Sequence, residues 1–253
     1  MHVRYTAAAL GLALWIFAPA VPAGAQQSRC ADCHFANPQA PAADHLAEWD
    51  RSMHGRNNIG CESCHRGNAS TFESFLAHQG ILNSANPSSP VAPGNLPRTC
   101  GTCHVGPFVA FQKSQHFAMI EAGNNDGPTC STCHGAVGAE LPSPRALFNQ
   151  CAGCHGPDEV APRANRAALG REMLDSIRIV RASLDEARSL IGRISDEGRR
   201  SQADYDYEQA EVPLIEAAAA GHAFVFDNLS ERLDVARQRV DALLDGLANP
   251  GPR

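Results

Sequence analysis

The sequence predicts a mainly α chain with much irregular loop, ending in an antiparallel helical hairpin. Three observations carry this prediction. Past residue 165, apolar residues recur at steps of three and four over two long stretches, the spacing of packed helices. The 253 residues include 21 glycines and 17 prolines with only 6% aromatics, so large core formers are few, and much of the 43% hydrophobic fraction is alanine. Finally, all ten cysteines fall in five copies of one frame, Cys-x-x-Cys-His, between residues 30 and 155. A chain so short of large apolar side chains needs something else to fill part of its interior.

The segments follow in order. Residues 1–25 carry His2 and Arg4, an apolar run from Ala7 to Ala18, and Ala23-Gly24-Ala25, the pattern of a cleaved secretory signal peptide. The run is short of the ~20 apolar residues needed to span a bilayer, and no later segment is long and apolar enough. The mature chain is thus expected in the periplasm or otherwise exported, with no transmembrane helix. Residues 26–160 form the motif-bearing domain. Two frames lie in residues 26–84, with a helical stretch from about Asp44 to His54 between them, and three lie in residues 98–160, with a helix expected around Phe108 to Ile120. The proline-rich residues 85–97 read as a linker or extended wrap. Residues 161–253 form the hairpin, with arms of about 165–196 and 203–248. Its stripes are Leu169, Met173, Ile177, Val180, Leu184, Ala187, Ile191 and Ile194, then Leu229, Leu233, Ala236, Val240, Leu243 and Leu247. Pro213 is expected to start or kink the second arm.

Formal charge is −6, and −7 once the signal segment removes Arg4. This balance argues against a nucleic-acid partner.

The frames are Cys30-Ala-Asp-Cys33-His34, Cys61-Glu-Ser-Cys64-His65, Cys100-Gly-Thr-Cys103-His104, Cys130-Ser-Thr-Cys133-His134 and Cys151-Ala-Gly-Cys154-His155. Two thiols three residues apart reach the two vinyl groups along one edge of a haem, and the adjoining histidine then falls under the iron as proximal ligand. Zinc ribbons, disulfides and thioredoxin-like redox pairs all use paired cysteines, but none requires a histidine after every pair. The expectation is five covalently bound haem c groups, with His34, His65, His104, His134 and His155 as proximal ligands. The 228 residues after the signal then give roughly 46 per haem, so a multihaem cytochrome c fold packs around covalent haems and the apoprotein does not fold.

Each iron has a sixth position, and its occupant separates a carrier from a catalyst. Apart from His2 and the five proximal residues, the chain has five histidines: His45, His54, His78, His116 and His222. Five irons meet five candidate distal ligands. His54 and His116 share a frame, aromatic-x-x-Ser-x-His, in Trp49 to His54 and Phe111 to His116. On one continuous helix, His45 and His54 face opposite sides and serve different haems. His78 follows Phe75-Leu-Ala, and His222 lies seven residues before Leu229, on the inward stripe of the hairpin. Met53 and Met119 adjoin better-framed histidines and read as packing. Lys113 is the lone lysine, and Tyr205 and Tyr207 sit in an acidic stretch far from the frames. No general acid–base constellation can be assembled, and the catalytic residues stay unknown.

These residues resemble the multihaem cytochrome c superfamily that includes cytochrome c nitrite reductase, hydroxylamine oxidoreductase and the tetrahaem cytochrome of ammonia oxidisers. The resemblance rests on the five Cys-x-x-Cys-His frames, on Ser52-x-His54 and Ser114-x-His116, and on the helical C-terminus. It implies distal ligation by His54 and His116. The chain departs from the nitrite reductases in its shorter length and its lack of a lysine-marked catalytic haem, and from the hydroxylamine oxidoreductases in lacking a cross-linking tyrosine context. The expected function is electron transfer between a quinol-linked membrane donor and a redox partner, a membrane quinol dehydrogenase or a terminal reductase being the partner classes. The alternative is a haem enzyme acting on small nitrogen or sulfur compounds, of nitrite or hydroxylamine type, at one five-coordinate haem.

Overall fold

A computed structural model describes residues 28–37, 39, 43–124, 126–137, 142–156 and 165–249. Residues 1–25, the expected signal peptide, lie outside them. Among the described residues the regular structure is helical, without strands. Ten short helices precede three long ones: α1 Arg29–Ala36, α2 Ala43–Arg51, α3 Met53–Arg56, α4 Glu62–His65, α5 Ser74–Ala77, α6 Leu96–Gly101, α7 Val105–Phe111, α8 Gln115–Glu121, α9 Cys130–His134, α10 Pro144–His155, α11 Asn165–Ile191, α12 Glu197–His222 and α13 Phe226–Ala248. No helix of the described residues is long and apolar enough to cross a membrane.

The two helices expected around the Ser-x-His elements are each broken at the serine. Ser52 and Ser114 are extended N-caps of α3 and α8, and their hydroxyls accept from the Gly55 and Phe117 backbone N–H groups. Both serines are buried. A capping serine ends the preceding helix because its own backbone leaves the helical region and its oxygen starts a new one. His45 and His54 therefore ride on separate helices, α2 and α3, and not on opposite faces of one.

The proline-rich stretch at residues 85–97 is a stack of turns and not an extended wrap. Ser89 is fully buried at its centre. Its hydroxyl donates to the Leu82 carbonyl, while Asn95 donates to the Pro87 and Ser89 carbonyls and Thr99 to that of Pro90.

The apolar side chains are unevenly divided. The described residues of 28–156 bury Ala31, Ala92, Ala110, Phe111, Phe117 and Ile120. The long helices bury Val180, Leu184, Ala187, Ile191, Tyr207, Leu214, Leu229, Leu233, Val240 and Leu243 with several alanines, as one continuous core. Each fully buried leucine there contributes about 1.5–3 kcal/mol, so this bundle has a large core of its own, whereas the described residues of the first half hold a small cluster of Phe111, Phe117 and Ile120.

Apart from Leu169, both predicted stripes line that core, but the expected hairpin is a three-helix bundle. Its second arm turns back at residues 223–225, between α12 and α13. The inward face of α12 is Ala203, Tyr207, Ala210, Leu214 and Ala217, mostly too small to register as a stripe. Pro213 neither starts nor ends α12 but lies buried within it. A proline frees the carbonyl four residues earlier, and Arg239 of α13 donates to that Gln209 carbonyl at 2.7 Å. The bundle also touches the first half: α11 packs on α10, and the end of α12 packs on α7.

Candidate haem-attachment sites

Each Cys-x-x-Cys-His frame occupies one helical turn. The frames lie in α1, at the start and body of α4, across the end of α6, in α9 and in the last turn of α10. Residues i, i+3 and i+4 share a helix face, so both thiols and the imidazole project together from each turn. All ten cysteines are unbridged.

Consecutive frames adjoin in space. Cys61 senses Cys30, Cys64 senses Cys100 and Cys103, and Cys133 senses Cys151. Cys100 and Cys130 are in direct hydrogen-bond contact. The five attachment turns thus follow one another in sequence order.

Burial favours the protonated form of four of these thiols. It pushes Cys61 up to about 11, helped by Cys30 and Glu62, and raises Cys64, Cys133 and Cys151. The shared hydrogen bond raises Cys100 and lowers Cys130. At those four, attachment as a thioether would remove a group that burial already favours as neutral.

The five histidines outside the frames each lie opposite one frame histidine. The pairs are His34 with His78, His65 with His45, His104 with His54, His134 with His222, and His155 with His116. Their ring centres are 6.1, 5.9, 6.0, 6.2 and 6.0 Å apart in that order, while interplanar angles run from 10° for His134–His222 to 90° for His45–His65. Rings in direct contact set their separation by orientation, and elsewhere in the chain ring pairs range from 4.4 to 6.4 Å. Roughly 2 Å for each metal–nitrogen bond plus about 1 Å from each nitrogen to its ring centre gives about 6 Å, whatever the twist between rings. The residues present fit a haem iron between each pair. Among the described residues no group of three or more His, Cys, Asp or Glu side chains forms a metal cage.

Local structure orients several of these rings. His54 directs Nδ1 to the Val137 carbonyl at 3.1 Å, His78 to that of Ser74 at 2.7 Å, and His222 to that of Ala218 at 2.7 Å. A donated Nδ1 proton leaves Nε2 as the free lone pair, the tautomer a metal needs. Burial, and then the facing His45 or His155, holds His65 and His116 below the usual histidine value, which favours the neutral ligand form. The pairing order was not legible in the sequence. His54 lies just before the second frame yet faces the third, His116 lies before the fourth yet faces the fifth, and His222 returns from the bundle to the fourth.

Comparison with known proteins agrees with this chemistry. Residues 88–156, which hold the third to fifth frames, match the family described as cytochrome c7 and related cytochrome c. The chain is 32% identical over 123 residues to the C-type polyheme cytochrome OmcB of Geobacter sulfurreducens, in strains DL-1/KN400 and ATCC 51573/DSM 12127/PCA. That alignment covers 45% of this chain and 14% of OmcB, so the chain matches a small part of those relatives. No solved structure matches. The nitrite reductase and hydroxylamine oxidoreductase branch does not figure among these matches.

Proposed function

We propose that this chain is an exported pentahaem c-type cytochrome that passes electrons between a quinol-linked membrane donor and a redox partner protein such as a terminal reductase. Five haem c groups would be held through the cysteine pairs 30/33, 61/64, 100/103, 130/133 and 151/154. His34, His65, His104, His134 and His155 would be the proximal ligands, and His78, His45, His54, His222 and His116 their respective distal partners. Bound haem c supplies reversible one-electron exchange at its iron.

The observation that carries this reading is the common spacing of about 6 Å in all five histidine pairs, across ring angles from 10° to 90°. A pair of histidines closes both axial positions, which suits a carrier, whereas a catalyst keeps one position open for substrate. The sequence-ordered run of adjoining attachment turns gives such a carrier neighbouring stations along its length. The cytochrome c7 match over residues 88–156 supports the same cofactor for the third to fifth frames.

Haem content and ligand binding test it together. Purified protein should carry five haems per chain, and carbon monoxide added to the reduced form, or nitrite to the oxidised, should leave the Soret band unmoved. A shift worth one haem in five would overturn the carrier reading in favour of an enzyme acting at one open iron.

A further inference from the structure

The five sites are not supported alike. His54, His78 and His222 each direct Nδ1 to a backbone carbonyl. His116 does not: its Nδ1 is the one buried side-chain nitrogen or oxygen among the described residues with no hydrogen-bond partner. Phe224 packs its ring nearly perpendicular against the imidazole, with ring centres 4.4 Å apart at 88°. Phe224 also contacts Phe111, which packs in turn on Phe117. Its backbone is left-handed, φ +57°, in the turn between α12 and α13. That conformation is costly for a bulky residue and persists only where its surroundings hold it.

Both features act on an iron in one direction. A histidine that donates Nδ1–H to a carbonyl is the more basic ligand and stabilises the ferric state. Loss of that donation weakens the ligand, and a surround of phenylalanine in place of polar groups further disfavours the more highly charged oxidised iron. We propose, resting on the pentahaem reading above, that the site of His116 and His155 has the most positive reduction potential of the five, and that Phe224 sets it by excluding a hydrogen-bond acceptor from His116. Because the fifth frame ends the run of attachment turns, the C-terminal bundle then caps an electron sink.

A potentiometric titration with dithionite and mediators, followed optically, tests this on the haem-loaded full chain and two variants. In His116→Ala, the component that titrates at the most positive potential should lose its low-spin bands and bind carbon monoxide. In Phe224→Asn, the most positive component should move to a lower potential while the other four stay in place. Asparagine tolerates the left-handed backbone and supplies an acceptor oxygen beside His116. The proposal is overturned if His116→Ala alters one of the lower components, or if Phe224→Asn leaves the most positive one where it was. Should His116→Ala fail to assemble, Phe224→Asn decides alone by the same criterion. Wild-type protein with fewer than five low-spin haems is a different result, which overturns the pentahaem reading itself.

Discussion

Replacing His222 by alanine tests the least expected pairing, in which a residue from the C-terminal bundle reaches back to the fourth frame. His222 is the last residue of α12, its Nδ1 is 2.7 Å from the Ala218 carbonyl, and its ring lies 6.2 Å from and within 10° of parallel to that of His134. The side chain is half-buried and adds no large apolar surface to the bundle core, so the fold should survive. The lost hydrogen bond is worth about 1 kcal/mol. The spectroscopic effect is far larger, because one iron in five loses its sixth ligand. A fifth of the low-spin Soret intensity should convert to a high-spin form that binds carbon monoxide when reduced, while haem content stays at five per chain. Near-parallel imidazoles give a rhombic low-spin ferric signal, whereas the near-perpendicular rings of His45–His65 and His54–His104 give strongly anisotropic ones. Paramagnetic resonance of the variant should therefore lose a rhombic component. Five unchanged low-spin haems, or loss of a strongly anisotropic component instead, would refute the assignment of His222 to His134.

Other substitutions probe the scaffold. Ser114→Ala removes the N-cap of α8 and should cost about 0.5–2 kcal/mol in a denaturant titration, with the spectrum of one haem perturbed because His116 sits two residues into that helix. Arg239→Ala leaves the carbonyl freed by Pro213 without its protein donor; exposure of the pair keeps the loss to about 1 kcal/mol, read as a lower urea midpoint with unchanged haem spectra. Leu184→Ala, at a fully buried position, should cost about 2–5 kcal/mol and loosen the bundle before the haem sites.

The sequence carried the chemistry of the sites further than their arrangement. The cysteine frames and the five remaining histidines could be picked out because each frame is local: its three side chains share one turn. The pairing of those histidines depends on the tertiary path, and nothing near His54 indicates that it faces His104 across the second frame. The Ser-x-His element was visible as a repeat, but its physical meaning, a buried serine cap that breaks one helix and starts the next, emerges only from the hydrogen bonds of Ser52 and Ser114. In the bundle, leucine and isoleucine stripes marked α11 and α13. The alanine-lined face of α12 gave little periodic signal, and the bend at Ala223-Phe224-Val225 has no glycine or proline at its centre, so two helices read as one arm. The strained Phe224 is what that missing glycine leaves behind, and it is also the residue set against His116.

The proposed carrier has two histidines at every iron. Near-infrared magnetic circular dichroism of the fully oxidised protein measures this most directly, because bis-imidazole ferric haem has a charge-transfer band of characteristic position and its intensity counts haems despite magnetic coupling between neighbours. The predicted result is bis-histidine intensity equal to five haems per chain. A high-spin or mixed-ligand band equal to one haem or more, with correspondingly less bis-histidine intensity, would contradict it.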